Sequence, residues 1–277
     1  MRLLLVGDVV GRPGRRAVAA LLPSVVQELR ADLVVANGEN SAGGFGLTPA
    51  TAAELFSAGV HVITTGNHVW DRKEILPFID QEPRLIRPAN FPPEAPGRGA
   101  TVVHDPSGRA VAVLNLMGRT FMEPLDCPFR AADRWVQALR EQTPCVVVDF
   151  HAEATAEKVA MGWYLDGRVS VVFGTHTHVP TADERILPGG TAYITDLGMT
   201  GPAEGVIGMD RQAVLEHLRT RLPRRFEVAS GPVRMDMLLV EVDDETGRAV
   251  RVQRLHRWWQ APGATGEPTK GGRARED

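Results

Sequence analysis

Cysteine and lysine are nearly missing. Of 277 residues, only Cys127 and Cys145 are cysteines and only Lys73, Lys158 and Lys270 are lysines. The two thiols have neither C-x-x-C spacing nor the number for a disulfide framework, which disfavours thiolate zinc sites and secreted disulfide scaffolds and fits a reducing cytoplasm. The shortage of lysine among 31 basic residues is a compositional bias without functional content. No apolar run approaches the roughly 20 residues that span a bilayer. In the amino-terminal MRLLLVGDVV, Asp8 breaks the apolar run before it reaches the length of an export signal. Charge of one sign is missing too: the net charge is −3 and the pI near 6.3, with no block of Lys or Arg. That argues against duplex nucleic acid or an anionic membrane as a partner and leaves small or singly charged molecules. Neither a G-x-G-x-x-G spacing nor a Walker lysine occurs in Gly7–Gly14, so dinucleotide and nucleoside triphosphate binding by those routes are poor fits.

What remains is an ordinary globular composition, 43% hydrophobic and 23% charged, with 8 histidines as the side chains most open to metal or acid–base work. There is no internal repeat and no domain linker. The expectation is one domain over residues 1–260, followed by a tail, 261–277, whose sequence APGATGEPTKGGRARED lacks apolar residues to repay ordering and is expected to be disordered. Short runs that are apolar throughout, as in strands covered on both faces, occur at 3–6, 33–36, 60–64, 110–116, 145–150 and 169–173. Between them, segments 15–30, 49–58, 129–141, 155–165 and 210–222 space their apolar residues at the helical period. Thr48-Pro49 and Asp210 read as helix starts. The alternation is that of a layered α/β fold. Segments 226–230, 233–242 and 249–259 read instead as consecutive strands with a hairpin loop at 244–247, and predict a second sheet packed on the first.

Five of the predicted strands end in a polar cluster: Gly7-Asp8, Gly38-Glu39-Asn40, Gly66-Asn67-His68, His151-Ala152-Glu153 and Gly174-Thr175-His176-Thr177-His178. Taken singly, each has an ordinary explanation: a helix cap, a solvated loop, a core histidine. Their shared position at strand ends is what independent accidents rarely produce, because in open α/β sheets the carboxyl ends of the strands line one ligand-binding crevice. In the H-x-H of His176 and His178, alternation along a strand would send both imidazoles to one side. Asp, Glu, Asn and His are oxygen and nitrogen donors suited to Mn, Fe or Zn rather than to a thiolate site. Arg12, Arg15 and Arg16, just beyond Asp8, and Trp70 are further candidates for contact with a nucleotide. A solvated helical turn for the arginines, and packing for Trp70, are the competing readings.

The ordered motifs GDVVG, NGENSAGGFG, TGNHVWD, DFHAEAT and GTHTH resemble the calcineurin-like metallophosphoesterase superfamily over roughly the first 200 residues. In detail they are similar to its YmdB-like branch, of the 2′,3′-cyclic-nucleotide 2′-phosphodiesterase type. The resemblance implies a β-sandwich core flanked by helices (αββα) and two transition-metal ions per chain, Fe or Mn in preference and Zn as another option. One would be held by Asp8, Glu39, Asn40 and His178, the other by Glu39, Asn67, His151 and His176, with Glu39 bridging. Three departures from the general superfamily pattern stand out. Val10 occupies the place of the usual first histidine, Glu39 that of the bridging aspartate, and Val69 that of an acidic residue that orients the histidine before it, so what orients His68 stays open. The implied chemistry is attack on phosphorus by a water activated between two cations roughly 3.5–4 Å apart, with His68 as general acid for the leaving oxygen. Two alternatives stand beside this one. The first is a metal-containing regulatory or scaffold protein that binds nucleotide without turnover; the second, among enzymes, is a phosphomonoesterase or phosphoprotein phosphatase. The β-rich carboxyl-terminal segment is of a kind that can supply a subunit interface, so a homo-oligomer is an open option.

Overall fold

The first apolar run forms β1 (Arg2–Val6), and a two-residue β2 (Asp8–Val9) leads at once into α1 (Gly11–Leu29). β3 (Leu33–Asn37), α2 (Pro49–Ser57) and β4 (Val62–Thr64) repeat the alternation. After the short α3 (Leu76–Ile79), the chain builds a second sheet from β5 (Ala100–His104), β6 (Ala110–Met117), α4 (Pro128–Arg140), β7 (Val146–His151), α5 (Thr155–Leu165), β8 (Val171–Thr175), β9 (Arg185–Ile186) and β10 (Ala192–Ile194). β11 (Met199–Pro202), α6 (Arg211–Thr220), β12 (Val233–Val242) and β13 (Ala249–Trp259) follow. This is a computed structural model describing residues 1–261. The tail expected to be disordered lies, but for its first residue, outside the described residues. No helix among them is long and apolar enough to cross a membrane.

The strands form a seven-stranded sheet, ordered β2-β11-β12-β1-β3-β4 with β13 on the free side of β12, and a six-stranded sheet ordered β5-β6-β7-β8-β10-β9. Their facing sides interdigitate through Leu3, Leu5, Leu33 and Val35 from one and Val113, Val147, Val171 and Phe173 from the other. The opposite side of the first sheet carries α1 and α2 on Leu4, Val34 and Ala36, and that of the second carries α4 and α5 on Leu114, Val148 and Phe150. Strands covered on both sides need apolar residues at every position, which is why the runs at 3–6, 33–36 and 146–148 show no alternation. Each such aliphatic side chain contributes roughly 1.5–3 kcal/mol by burial. The result is the αββα sandwich that the resemblance implied.

Two expectations at the carboxyl terminus need correction. The hairpin β12–β13 does not found a second sheet: β12 pairs antiparallel with β1, from Arg2 opposite Glu241 to Val6 opposite Met237. Local pattern carries no information on which distant edge a strand will choose, and the exposed edge of β1 is closed this way. Segment 226–230 is not a strand; only Val228 bridges, to Met209.

In the first sheet β1, β3 and β4 run parallel, with Val6 beside Ala36 and Asn37 beside Thr64. In the second, Met117, His151 and Thr175 lie side by side at the ends of β6, β7 and β8. All these carboxyl ends meet at one rim. Asp149, fully buried on β7, joins the sheets there by accepting from Asn37 Nδ2 at 3.3 Å and from Thr64 Oγ1. Burial pushes its pKa up to about 7.

Candidate metal centre

Glycine opens the space at this rim. A Cβ on Gly66 would sit within the His151 ring, so only glycine lets the Asn67-His68 turn pass over that imidazole. His151 is fully buried, and its Nε2 is the meeting point of the second cluster: Glu39 Oε1 at 3.0 Å, Asn67 Oδ1 at 2.9 Å and His176 Nδ1 at 3.1 Å. Its other nitrogen faces Thr175 Oγ1 at 2.9 Å, and that hydroxyl donates onward to Asp149 Oδ1 at 2.7 Å. Since the hydroxyl proton is committed to Asp149, Thr175 Oγ1 accepts from His151 Nδ1, and Nε2 turns its lone pair to the cluster. A buried hydrogen-bonded carboxylate relay of this sort is how proteins orient metal-ligating imidazoles.

Beside it lies a smaller group. Asp8 is fully buried, His178 Nε2 stands 3.6 Å from Asp8 Oδ1 and 3.1 Å from Asn40 Nδ2, and Asn40 Nδ2 reaches Glu39 Oε1 at 3.4 Å. His178 Nδ1 donates to the carbonyl of Ile207 at 2.9 Å, which again leaves Nε2 for the site. Glu39 thus touches both groups, and its second oxygen accepts from the His68 backbone N–H at 3.0 Å. In this arrangement Asn40 offers its NH₂; to act as a ligand it must present Oδ1, a half-turn of the amide.

The electrostatics suit cations. Burial alone would raise the Asp8 pKa, yet neighbouring His178, then His151 and the His176 N–H, bring it down to about 2. Glu39 is likewise held down against burial, mainly by His151. Burial and the neighbouring His151 depress His176 to about 3, while Asp8 outweighs burial and lifts His178 to about 9, a proton on Nε2 that a cation beside Asp8 would displace. Among the described residues, Asp8 Oδ1 has no hydrogen-bond donor although it is buried. A carboxylate oxygen left without a donor inside a protein costs several kcal/mol by an order-of-magnitude reckoning, unless a cation fills the place. Glu39, His151 and His176 offer ligand atoms all within 4.8 Å of one another. The residues therefore fit a metal centre of oxygen and nitrogen donors.

All seven candidate ligands, Asp8, Glu39, Asn40, Asn67, His151, His176 and His178, come together, and His68 stands at their edge. One expectation does not hold: β8 ends at Thr175, so His176 and His178 are not alternate strand residues. They lie in a turn, with φ of 94° and 62°, and reach the site because Asp196 draws the intervening Thr177 inward through its N–H at 3.2 Å and its hydroxyl at 2.6 Å. Lys158 Nζ, buried 2.6 Å from the same carboxylate, neutralises it. His61, by contrast, merely accepts from the Val34 N–H at 3.1 Å.

The family model described as YmdB-like protein matches residues 4–255. The chain belongs to the YmdB-like family. A 2′,3′-cyclic-nucleotide 2′-phosphodiesterase of Bacillus subtilis is 51% identical over 255 residues, 92% of this chain and 96% of that protein. Among solved structures, a hypothetical protein from Thermus thermophilus superposes with a TM-score of 0.87 at 43% identity, covering 93% of this chain and 99% of that one. A phosphatase from Mycoplasma pneumoniae gives 0.88 at 33% identity, covering 95% of each.

The residue that orients His68, left open by Val69, is Asp71. His68 Nδ1 and Asp71 Oδ2 are 2.8 Å apart, three residues along a tight turn closed by Asp71 N–H to the His68 carbonyl at 3.1 Å. The signal was the spacing inside TGNHVWD: a turn brings residues three apart to the same side. Phe45 packs edge-on against the ring, with centroids 5.1 Å apart. Glu153, half-exposed, holds His176 Nε2 at 3.0 Å and so selects Nδ1 as the atom facing the cluster. Trp70 packs edge-on against Phe91 and Arg15 is tied to Glu54 at 2.6 Å, while Arg12 and Arg16 are exposed helix residues. None of these four lines the cavity beside the cluster.

Proposed function

We propose that the chain is a phosphodiesterase acting on cyclic nucleotides of the 2′,3′ type at a centre of two transition-metal cations. The observation that carries this reading is the convergence of three imidazole nitrogens and two buried carboxylates, one with an oxygen lacking any donor among the described residues, beside a fourth histidine, His68, outside the ligand set. Asp8, Glu39, Asn40 and His178 would hold one cation, and Glu39, Asn67, His151 and His176 the other. Fe or Mn suits these donors. When bound, the pair supplies Lewis acidity and a water with a pKa lowered toward neutrality.

The chain's own residues do the rest. Asp149 and Thr175 fix His151, Ile207 fixes His178 and Glu153 fixes His176, so the donors are aligned before a cation arrives. His68, with Nδ1 committed to Asp71, presents Nε2 to the cavity it lines. A new P–O bond forms to hydroxide, left when water releases a proton to solvent, as the ester P–O bond breaks, and His68 Nε2 gives its proton to the departing alkoxide and is reprotonated from solvent. The charge of a diester is met by the cations themselves, so a chain of net charge −3 needs no basic cleft.

A substrate panel tests this. The metal-loaded protein is expected to hydrolyse 2′,3′-cyclic nucleotides faster than 3′,5′-cyclic nucleotides or phosphomonoesters. Saturable nucleotide binding with no turnover of any ester, under added Mn or Fe, would overturn it in favour of a binding protein. A second prediction concerns Asp71. Asp71→Asn keeps the size but weakens the hold on the ring, and a slight misplacement of a catalytic group costs up to about 100-fold. The expected result is a fall of that order in kcat with KM and metal content nearly unchanged, read by steady-state kinetics and elemental analysis.

A further inference from the structure

Four of the ligand candidates, Glu39, Asn40, His176 and His178, line a cavity of about 360 Å³, and much of the rest of its wall is apolar: Phe45, Val206, Ile207, Met209, Val214 and Phe226. Three segments distant in sequence build it. Phe45 lies in the loop after β3, held by Arg72, which donates to the Phe45 carbonyl at 3.1 Å and to that of Ala42 at 2.8 Å. Val206 to Met209 form a tight hairpin between β11 and α6, and Phe226 follows α6. Phe45, Val206, Met209, Val214 and Phe226 pack with Val10 and Met199 in one apolar cluster, separate from the three that hold the sandwich together, and Ile207 stands outside it at the exposed tip of the hairpin.

The hairpin is built against its own preferences. Val206 and Met209 exchange both backbone hydrogen bonds, at 2.9 and 3.0 Å, around Ile207 at φ 47° and Gly208 at φ 92°. Two positive φ values in succession are those of a type I′ turn, for which Asn-Gly is the preferred pair. A β-branched residue at positive φ is a genuine outlier, and such strain is retained where it serves a site. Ile207 serves two ends at once: its carbonyl receives His178 Nδ1, and its side chain, 47% exposed, lines the cavity.

We propose that this wall is the binding site for the base of the nucleotide, and that Ile207 is held in its unfavourable conformation to shape it; the proposal rests on the phosphodiesterase reading. An edge of the cavity that offers apolar side chains and no side-chain donor or acceptor selects a flat heterocycle by area, not by hydrogen-bond pattern. Purines are therefore bound ahead of pyrimidines, with adenine and guanine little distinguished. Losing one aromatic partner of a stacked base weakens binding by roughly tenfold.

The test compares metal-loaded wild type with Phe226→Ala and Ile207→Gly on 2′,3′-cyclic AMP and on ethylene glycol cyclic phosphate, which keeps the reacting five-membered ring and has no base. The ratio of kcat/KM for the nucleotide to that for the base-free ester is expected to fall about tenfold in Phe226→Ala, which removes an aromatic face, and by a smaller factor in Ile207→Gly, in both through KM. An unchanged ratio overturns the proposal. Ile207→Asn, which suits the turn, is expected to raise Tm by roughly 2–4 °C; a lower Tm overturns the claim that Ile207 is held against its preference. Calorimetric titration separates this proposal from the function itself. If the wild type hydrolyses neither ester, the phosphodiesterase reading fails. The wall is overturned independently if adenosine 3′-phosphate binds no more tightly than inorganic phosphate, or if Phe226→Ala leaves that difference intact.

Discussion

Replacing Glu39 with Gln is expected to leave the protein folded and to strip it of metal. Glu39 is 1% exposed and touches both halves of the centre, His151 Nε2 at 3.0 Å through Oε1 and the His68 N–H at 3.0 Å through Oε2. Gln keeps the volume but removes the negative charge, and one end of its amide becomes a donor. Set toward His68, that NH₂ meets another N–H; set toward His151 and Asn40, it occupies the space where a cation would sit. The loss of a partner merely behind a ligand costs 10–100-fold in metal affinity as an order-of-magnitude guide. A ligand shared by two cations should cost each of them at least roughly that much, and the doubly positive site loses the carboxylate that offset its internal repulsion. Elemental analysis after gel filtration is the measurement, expected to read close to two equivalents per chain in wild type and well below one in Glu39→Gln. Thermal unfolding should show that added Mn raises the Tm of wild type but not of the variant. Two retained equivalents in Glu39→Gln would remove the bridging assignment.

The sequence made some levels of this structure legible and not others, for physical reasons. β1, β3, β7 and β8 are doubly covered, so their apolar runs announce them without ambiguity, and the polar residues that follow fall at the rim by the geometry of parallel strands. Asp8, Glu39, Asn67 and His151 could be placed from that alone. What stayed hidden depends on contacts far apart in sequence. The pairing of β12 with β1 closes more than 230 residues, and no local pattern records it. The His176–His178 turn owes its form to Asp196 and Lys158 on other elements, so the two rings meet the cluster by a geometry other than the simple strand alternation expected. Asp71 was hidden differently: the superfamily pattern puts the partner of His68 at the neighbouring position, here Val69, whereas the turn delivers the residue three along. Ile207 carries no signal at all, since an apolar residue before glycine reads as ordinary loop until its φ is seen.

His68→Ala is expected to behave in the opposite way to Glu39→Gln, keeping both cations and losing the reaction. Its side chain is partly exposed, and its ring nitrogen Nδ1 is spent on Asp71. Only its backbone N–H reaches Glu39, and alanine preserves that bond. General acid catalysis contributes typically 10²–10⁴-fold, as an order of magnitude, when the leaving group is a poor one. A ribose alkoxide is poor, because it departs as a strong base unless protonated as the P–O bond breaks. A p-nitrophenolate needs no such help. The kcat of His68→Ala on a 2′,3′-cyclic nucleotide should therefore fall by roughly 10²–10⁴-fold, while its rate on bis(p-nitrophenyl) phosphate falls far less, at unchanged metal content. The contrast between the two leaving groups is what a merely structural histidine would not produce. Equal losses on both substrates would assign His68 to positioning the substrate, and wild-type turnover of the cyclic nucleotide would remove it from the chemistry altogether.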